Sequence, residues 1–199
     1  MGLVVVVAAA IVVVPILTHS NGGLSNQEPS AQEWPTTVTA TGDDGRIRSL
    51  TVLGSPGDPA LDTSALIPGQ RITVAGSGFD PAQGIYVAIC VIPEDPTIKP
   101  GPCIGGVPDQ EQETVEAGTV QYAPSNWIND DWAWRLFGAR SYDDPAAGTF
   151  TAYLEIGEPA GEGFDCREEA CGIYTRNDHT ALNDRVQDVH IPVAFAAAP

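Results

Sequence analysis

Positive charge is what this 199-residue chain has least of: nine Lys and Arg stand against 26 Asp and Glu, a formal net charge of −17. Nucleic acids and anionic membranes are met through a positive footprint, so this balance argues against both as partners. The acidity reads as solubility outside the cell, or as a field that holds a cationic partner. Histidine is scarce too, at three residues, and only His179 and His190 fall inside the folded part. There is no Gly-x-Ser-x-Gly elbow, no His-Glu-x-x-His and no EF-hand spacing. Ser77, in Gly76-Ser-Gly78, reads as a turn rather than a nucleophile. Glu155, Glu158, Glu162 and Asp165 hold the groups of a glycosidase pair, but in so acidic a chain they read as surface. The expectation is a protein that is not an enzyme and needs no metal or cofactor.

The start of the chain lacks charge altogether. Gly2 to Thr18 is one apolar run with no Lys or Arg before it and with Pro15 inside it. It is shorter than the ~20 residues a membrane span needs. It reads as the core of a signal peptide cut after Ser20, with a retained weak anchor as the alternative. No Cys follows it, which argues against a lipid anchor. The organisation expected is a signal peptide or apolar segment over 1–20, a flexible polar linker over 21–45, and one domain over 46–199. The protein is then secreted or held at the cell surface as a monomer, touching membrane only through an uncut N-terminal segment.

What the chain does have is turn formers, with 21 Gly and 17 Pro, spaced as in a protein of many short strands. Alternating or apolar runs stand at Arg46–Leu53, Arg71–Ala75, Gly84–Ile92, Gly148–Ile156, Cys171–Thr175 and Val189–Phe195. Thr114–Tyr122 makes a possible seventh. Pro192 suits an edge strand or a bulge. Asn126–Ser141 breaks the pattern, and Trp127, Trp132, Leu136 and Ala139 have roughly helical spacing. The fold expected is an all-β, seven-stranded sandwich with a short helical or irregular insertion.

Four cysteines allow three pairings. Export favours oxidation, and nearness in sequence favours Cys90 with Cys103 and Cys166 with Cys171. Loops of those sizes are worth about 3 and 2 kcal/mol in the chain-entropy picture. A zinc site of all four thiolates is the rival, and the first gap fits it poorly.

Laid in order, Pro68–Pro81, Tyr86–Cys90 leading to Cys103, Gly148–Leu154, Asp165–Ile173 and Ile191–Phe195 resemble the neocarzinostatin family of secreted chromoproteins. The resemblance covers roughly Leu50 to Phe195. It implies an immunoglobulin-like sandwich with these two local disulfides, and a non-protein ligand in a cleft beside a disulfide-bearing lobe. Val91 and Ile92 stand where the family has an aromatic residue, and Gly172 where it has a polar one. The segments Asn126–Asp144 and Thr175–Asp188 have no counterpart. The resemblance therefore implies the fold, and not that family's own ligand.

Two constellations compete for a role. Trp127, Trp132, Trp134, Phe137 and Tyr142 could line a site for a small apolar or aromatic ligand, or form a mini-core pinning the insertion. Arg176–His190 offers Asp178, Asp184 and Asp188 to a hard cation, or His179 and His190 to a transition metal or haem. Its plainer reading is a loop held by Arg176 and Arg185 pairing with aspartates. The leading expectation is non-enzymatic binding of a small apolar ligand; the runner-up is a structural or protein-interaction module of the cell envelope.

Overall fold

The computed structural model describes residues 13–14, 16–55, 61–106 and 120–197. Alternation of branched apolar residues with Thr, Ser and Arg gives strands with one buried face. β1 (Thr37–Thr41), β2 (Ile47–Gly54), β3 (Arg71–Ser77) and β6 (Phe150–Glu155) make one antiparallel sheet in the order β1-β2-β3-β6. The second sheet, order β10-β9-β4-β5, comprises β4 (Ile85–Val91), β5 (Ser125–Ile128), β9 (Cys171–Asn177) and β10 (Val189–Val193). A hairpin of two-residue strands, β7 (Ala160–Gly161) with β8 (Phe164–Asp165), stands apart from both. The helix α1 (Trp132–Arg135) comes after β5. The protein is an all-β sandwich.

Leu50, Val52, Ile72, Val74, Phe150 and Leu154 of the first sheet face Ile85, Val87, Ile89, Ile173, Val189 and Ile191 of the second. Each such side chain contributes roughly 1.5–3 kcal/mol on burial. At one end Phe79 meets the Phe150 ring edge-on at 5.0 Å. Gly148, at φ 60°, seats that corner, because a Cβ there would run into the Phe79 carbonyl.

The open sides of the sandwich are closed by amide side chains that imitate a strand. Asn126 of β5 gives its Nδ2 to the Tyr153 carbonyl (2.9 Å) and accepts from the Tyr153 N–H (3.1 Å). Gln27 does the same to His190, at 2.9 and 2.8 Å. Both devices occupy edge groups that would otherwise template pairing with another chain.

Several sequence expectations are corrected. The stretch expected as a flexible linker over 21–45 includes β1, paired with β2 along its length. Thr37-Val-Thr-Ala-Thr41 alternates too, with Val38 and Ala40 buried, but its surrounding Pro, Ser and Gln mask the pattern. The segment before it is tied by His19 to Asp184 (2.7 Å), by the Gly22 N–H to Asp184 (2.8 Å) and by Gln27. Among the described residues there are ten strands rather than seven. The Gly76-Ser-Gly78 turn shrinks to Gly78, since β3 runs on through Ser77. Most of the seventh expected strand, 114–119, lies outside the described residues, as does 1–12 of the apolar leader. Among the described residues no helix is long and apolar enough to cross a membrane.

Candidate functional site

The two cysteine pairs are disulfide-bonded, Cys90 to Cys103 and Cys166 to Cys171. They set the site. The first ties a proline-rich arch to the end of β4; the second ties the β7–β8 hairpin to the start of β9.

Between arch and hairpin lies a cleft of about 500 Å³. Ile104, Phe164 and Pro124 supply its apolar wall, and Gly105, Gly157 and Gly161 keep it open. The exposed Glu158 and Glu162 stand among its lining residues. Phe164 and Ile104 also pack against the core, so the wall is anchored. No sequence signal marks Ile104, Pro124 or Phe164: the cleft arises from how two disulfide-tied loops approach each other.

The aromatic set is divided by the fold. Trp127 lies in β5, not in a helix, because its strand pairs with β4. It opposes Tyr86 on the outer face of the second sheet, with ring centroids 5.9 Å apart. The helix beyond it is four residues long, started by Asp131 accepting from the Ala133 N–H at 2.9 Å. It lays Trp134 against Trp127 at 5.6 Å, and His179 packs edge-on to both, at 5.4 and 4.8 Å. Tyr142 belongs to the core between the sheets and donates to the carbonyls of Asp80 or Gln83. Trp132 and Phe137 face solvent. None of the five lines any of the three described cavities. Trp127 and Trp134 thus make a mini-core.

That mini-core rests on Asp178, which is fully buried. Its carboxylate accepts from Trp127 Nε1 (2.9 Å), Asn129 Nδ2 (3.0 Å), the Thr180 N–H (2.9 Å) and the Thr180 hydroxyl (2.6 Å). Gly84 makes room for it, since a Cβ there would strike Asp178 and Asn129. His179 Nδ1 meets the Tyr86 hydroxyl at 3.0 Å. Burial, then the Asp178 charge, pushes the Tyr86 phenol up to about 12.

The rest of the 178–190 segment is equally committed. Asp184 accepts from the Val186 N–H as well as from Gly22 and His19. Arg185 pairs with Asp188 at 2.8 Å, both buried. Arg176, in contrast to the sequence expectation, pairs with no aspartate among the described residues: it donates to the Pro100 carbonyl (3.0 Å) and lies over the Tyr86 ring. Among the described residues no three His, Cys, Asp or Glu side chains come together as a metal site would need. His190 is stacked on Tyr174 at 4.6 Å.

Two groups here respond to pH in opposite senses. Burial holds the His190 imidazole down to about 4. The unfolded chain takes up that proton first, so the His190 contribution to stability is lost as pH falls through the window from 6.5 to 4. Burial pushes Asp188 up to about 7, against the pull of Arg185. The fold then holds a proton that the unfolded chain has released, and this contribution is lost as pH rises toward 7. Asp188→Asn removes only the second slope. Its stability relative to wild type should recover by roughly 3 kcal/mol between about pH 4 and 7, read by urea unfolding at stepped pH. A difference independent of pH would contradict the buried carboxyl.

No family model matches the chain. Over 139 residues it is 32% identical to "Thiamine biosynthesis protein X" of Corynebacterium glutamicum, an alignment covering 69% of this chain and 62% of that protein. The chain thus spans less than two-thirds of the length of this curated relative. Among solved structures, macromomycin superposes with a TM-score of 0.39 at 19% identity, over 74% of this chain and 99% of that one. A superposition that loose carries no functional weight.

Proposed function

We propose that this is a non-enzymatic, extracytoplasmic binding protein that holds a small apolar or aromatic ligand in the cleft between the Cys90–Cys103 arch and the β7–β8 hairpin. The observation that carries the reading is the cleft itself. At about 500 Å³ it falls within the ~300–1,000 Å³ of small-molecule sites, and both disulfides stiffen its walls. Bonds of that kind persist in oxidising compartments, which supports a place outside the cytoplasm. Glu158 and Glu162 favour a ring that carries positive charge. The name of the curated relative makes thiamine, a cationic ring compound, the first ligand to test.

Calorimetric titration of the full chain with thiamine and with uncharged aromatic compounds tests this, beside native mass spectrometry of protein from its own host. Phe164→Ala should weaken binding of any ring ligand tenfold or more. Because Phe164 also packs on the core, Glu158→Gln with Glu162→Gln is the second arm. That pair should leave the melting temperature unchanged and weaken only the cationic ligand. A retained small molecule, or saturable heat abolished by Phe164→Ala, supports the reading. Protein that carries no molecule and gives no heat with any titrant sinks it.

A second reading has its own observation. Trp132, Leu136 and Phe137 are 68%, 74% and 50% exposed within six residues. Clustered apolar exposure of that kind marks protein-interaction surfaces, and it favours an envelope module that docks through α1. Trp132→Ser would then abolish a pull-down while leaving titrations in the cleft unchanged.

A further inference from the structure

A second cavity, of about 270 Å³, shares no lining residue with the cleft above. Its floor is the stacked pair Tyr174 and His190, side by side on β9 and β10. Pro93, Pro96 and Pro100 of the disulfide arch form one wall, and the 24–27 segment forms another. Asp188 completes the lining.

One buried polar atom facing this space is unmatched. Tyr174 is 5% exposed and Asp188 7%. Asp188 Oδ2 meets Arg185, but Oδ1 has no hydrogen-bond partner among the described residues. His190 and Tyr174 meet beside it through their stacked rings. Buried polar groups are ordinarily satisfied, and each orphan costs free energy until something bonds to it. A carboxylate oxygen left without a partner at the wall of a cavity marks a site that is complete only when filled.

Charge then selects the class of ligand. Asp188 is paired with Arg185, and Lys99 and Arg176 are near enough to act electrostatically within the same group. Asp184 and Asp178 act within the same set and balance those positive groups, so no net charge favours a cation, and an anion would meet the carboxylate it must touch. An uncharged molecule avoids that penalty. The volume admits one or two rings, and proline with aromatic walls suits a flat face.

We propose that this cavity binds a small uncharged ring compound that presents an N–H or O–H donor to Asp188 and Tyr174. The site is independent of the cleft reading and stands or falls without it.

The test uses the full chain, labelled with ¹⁵N, and indole as probe. Three relatives of indole serve as controls: benzothiophene lacks the donor, tryptamine is a cation and indole-3-acetate an anion. Indole should shift the backbone amides of Tyr174, Asp188 and His190 saturably. The three controls should bind at least tenfold more weakly, and Tyr174→Phe should weaken indole several-fold. Asp188→Asn should do the same; if that variant fails to fold, Tyr174→Phe, which removes only a hydroxyl, decides. Unmoved amides, benzothiophene binding as well as indole, or indifference to Tyr174→Phe would each overturn the proposal. So would indole shifting only Ile104 and Phe164, a result that would speak for the cleft.

Discussion

Asp178→Ala is expected to lower the stability of the domain by about 3–5 kcal/mol, because it leaves several buried donors unsatisfied at once. For a single domain that is a large share of the total. The carboxylate is fully buried and takes hydrogen bonds from Trp127, Asn129 and Thr180. Alanine would leave the indole N–H, the Asn129 amide and the Thr180 donors inside with nothing to accept from them, at roughly 1–3 kcal/mol for each that water cannot reach. The mini-core of Trp127, Trp134 and His179 would lose its support at the same time. Asp178→Asn keeps one acceptor oxygen at the same position and should cost about half as much or less. Urea unfolding followed by tryptophan fluorescence measures both. A loss below ~1 kcal/mol for the alanine variant would mean that water reaches the site freely.

How much of this is legible in the chain depends on the range of the interactions. β2, β3, β6 and β10 follow from local alternation, β4 and β9 from apolar runs, and each lies within a few residues of its expected place. β1 escapes a local reading because five residues between Pro35 and Gly42 carry little weight alone; what fixes them is pairing with β2. The helix expected over the insertion is too long for a related reason. Trp127 and Trp132 have helical spacing, but Asn126 and Trp127 face Val87 and Tyr86 across a ladder, and tertiary pairing overrides local periodicity. The 178–190 aspartates are visible as a cluster, yet not as the support for a tryptophan as distant in sequence as Trp127. The cleft is least legible. Ile104, Pro124 and Phe164 are ordinary residues in three separate stretches of chain, and only the packing of those stretches makes them neighbours. The candidate ligand set drawn from aromatic density alone goes instead to a mini-core, a core tyrosine and two exposed rings.

Arg48→Ala is expected to cost a comparable ~3–5 kcal/mol, for a different reason. Alternation in β2 places Arg48 on the same inward face as Leu50 and Val52, and its side chain is wholly buried. There its guanidinium makes two bonds to Asp44 and lies 6.0 Å from the centre of the Phe79 ring. Removing it would leave the half-buried Asp44 carboxylate with the Arg46 N–H but without its guanidinium partner, and open a cavity beside the Phe79–Phe150 contact. The two costs separate experimentally. Arg48→Met refills most of the volume with an apolar chain, and combined with Asp44→Asn it leaves no unmatched charge. Replacing a buried ion pair in this way is often neutral or stabilising, so the double variant should recover most of the loss, while Arg48→Met alone should recover only the packing part. The Nε of Arg48 already lacks a partner among the described residues, which lowers what the native pair contributes. Recovery in the double variant would assign the loss to the stranded charge; a double variant as unstable as Arg48→Ala would show instead that the guanidinium holds this end of the sandwich through Phe79.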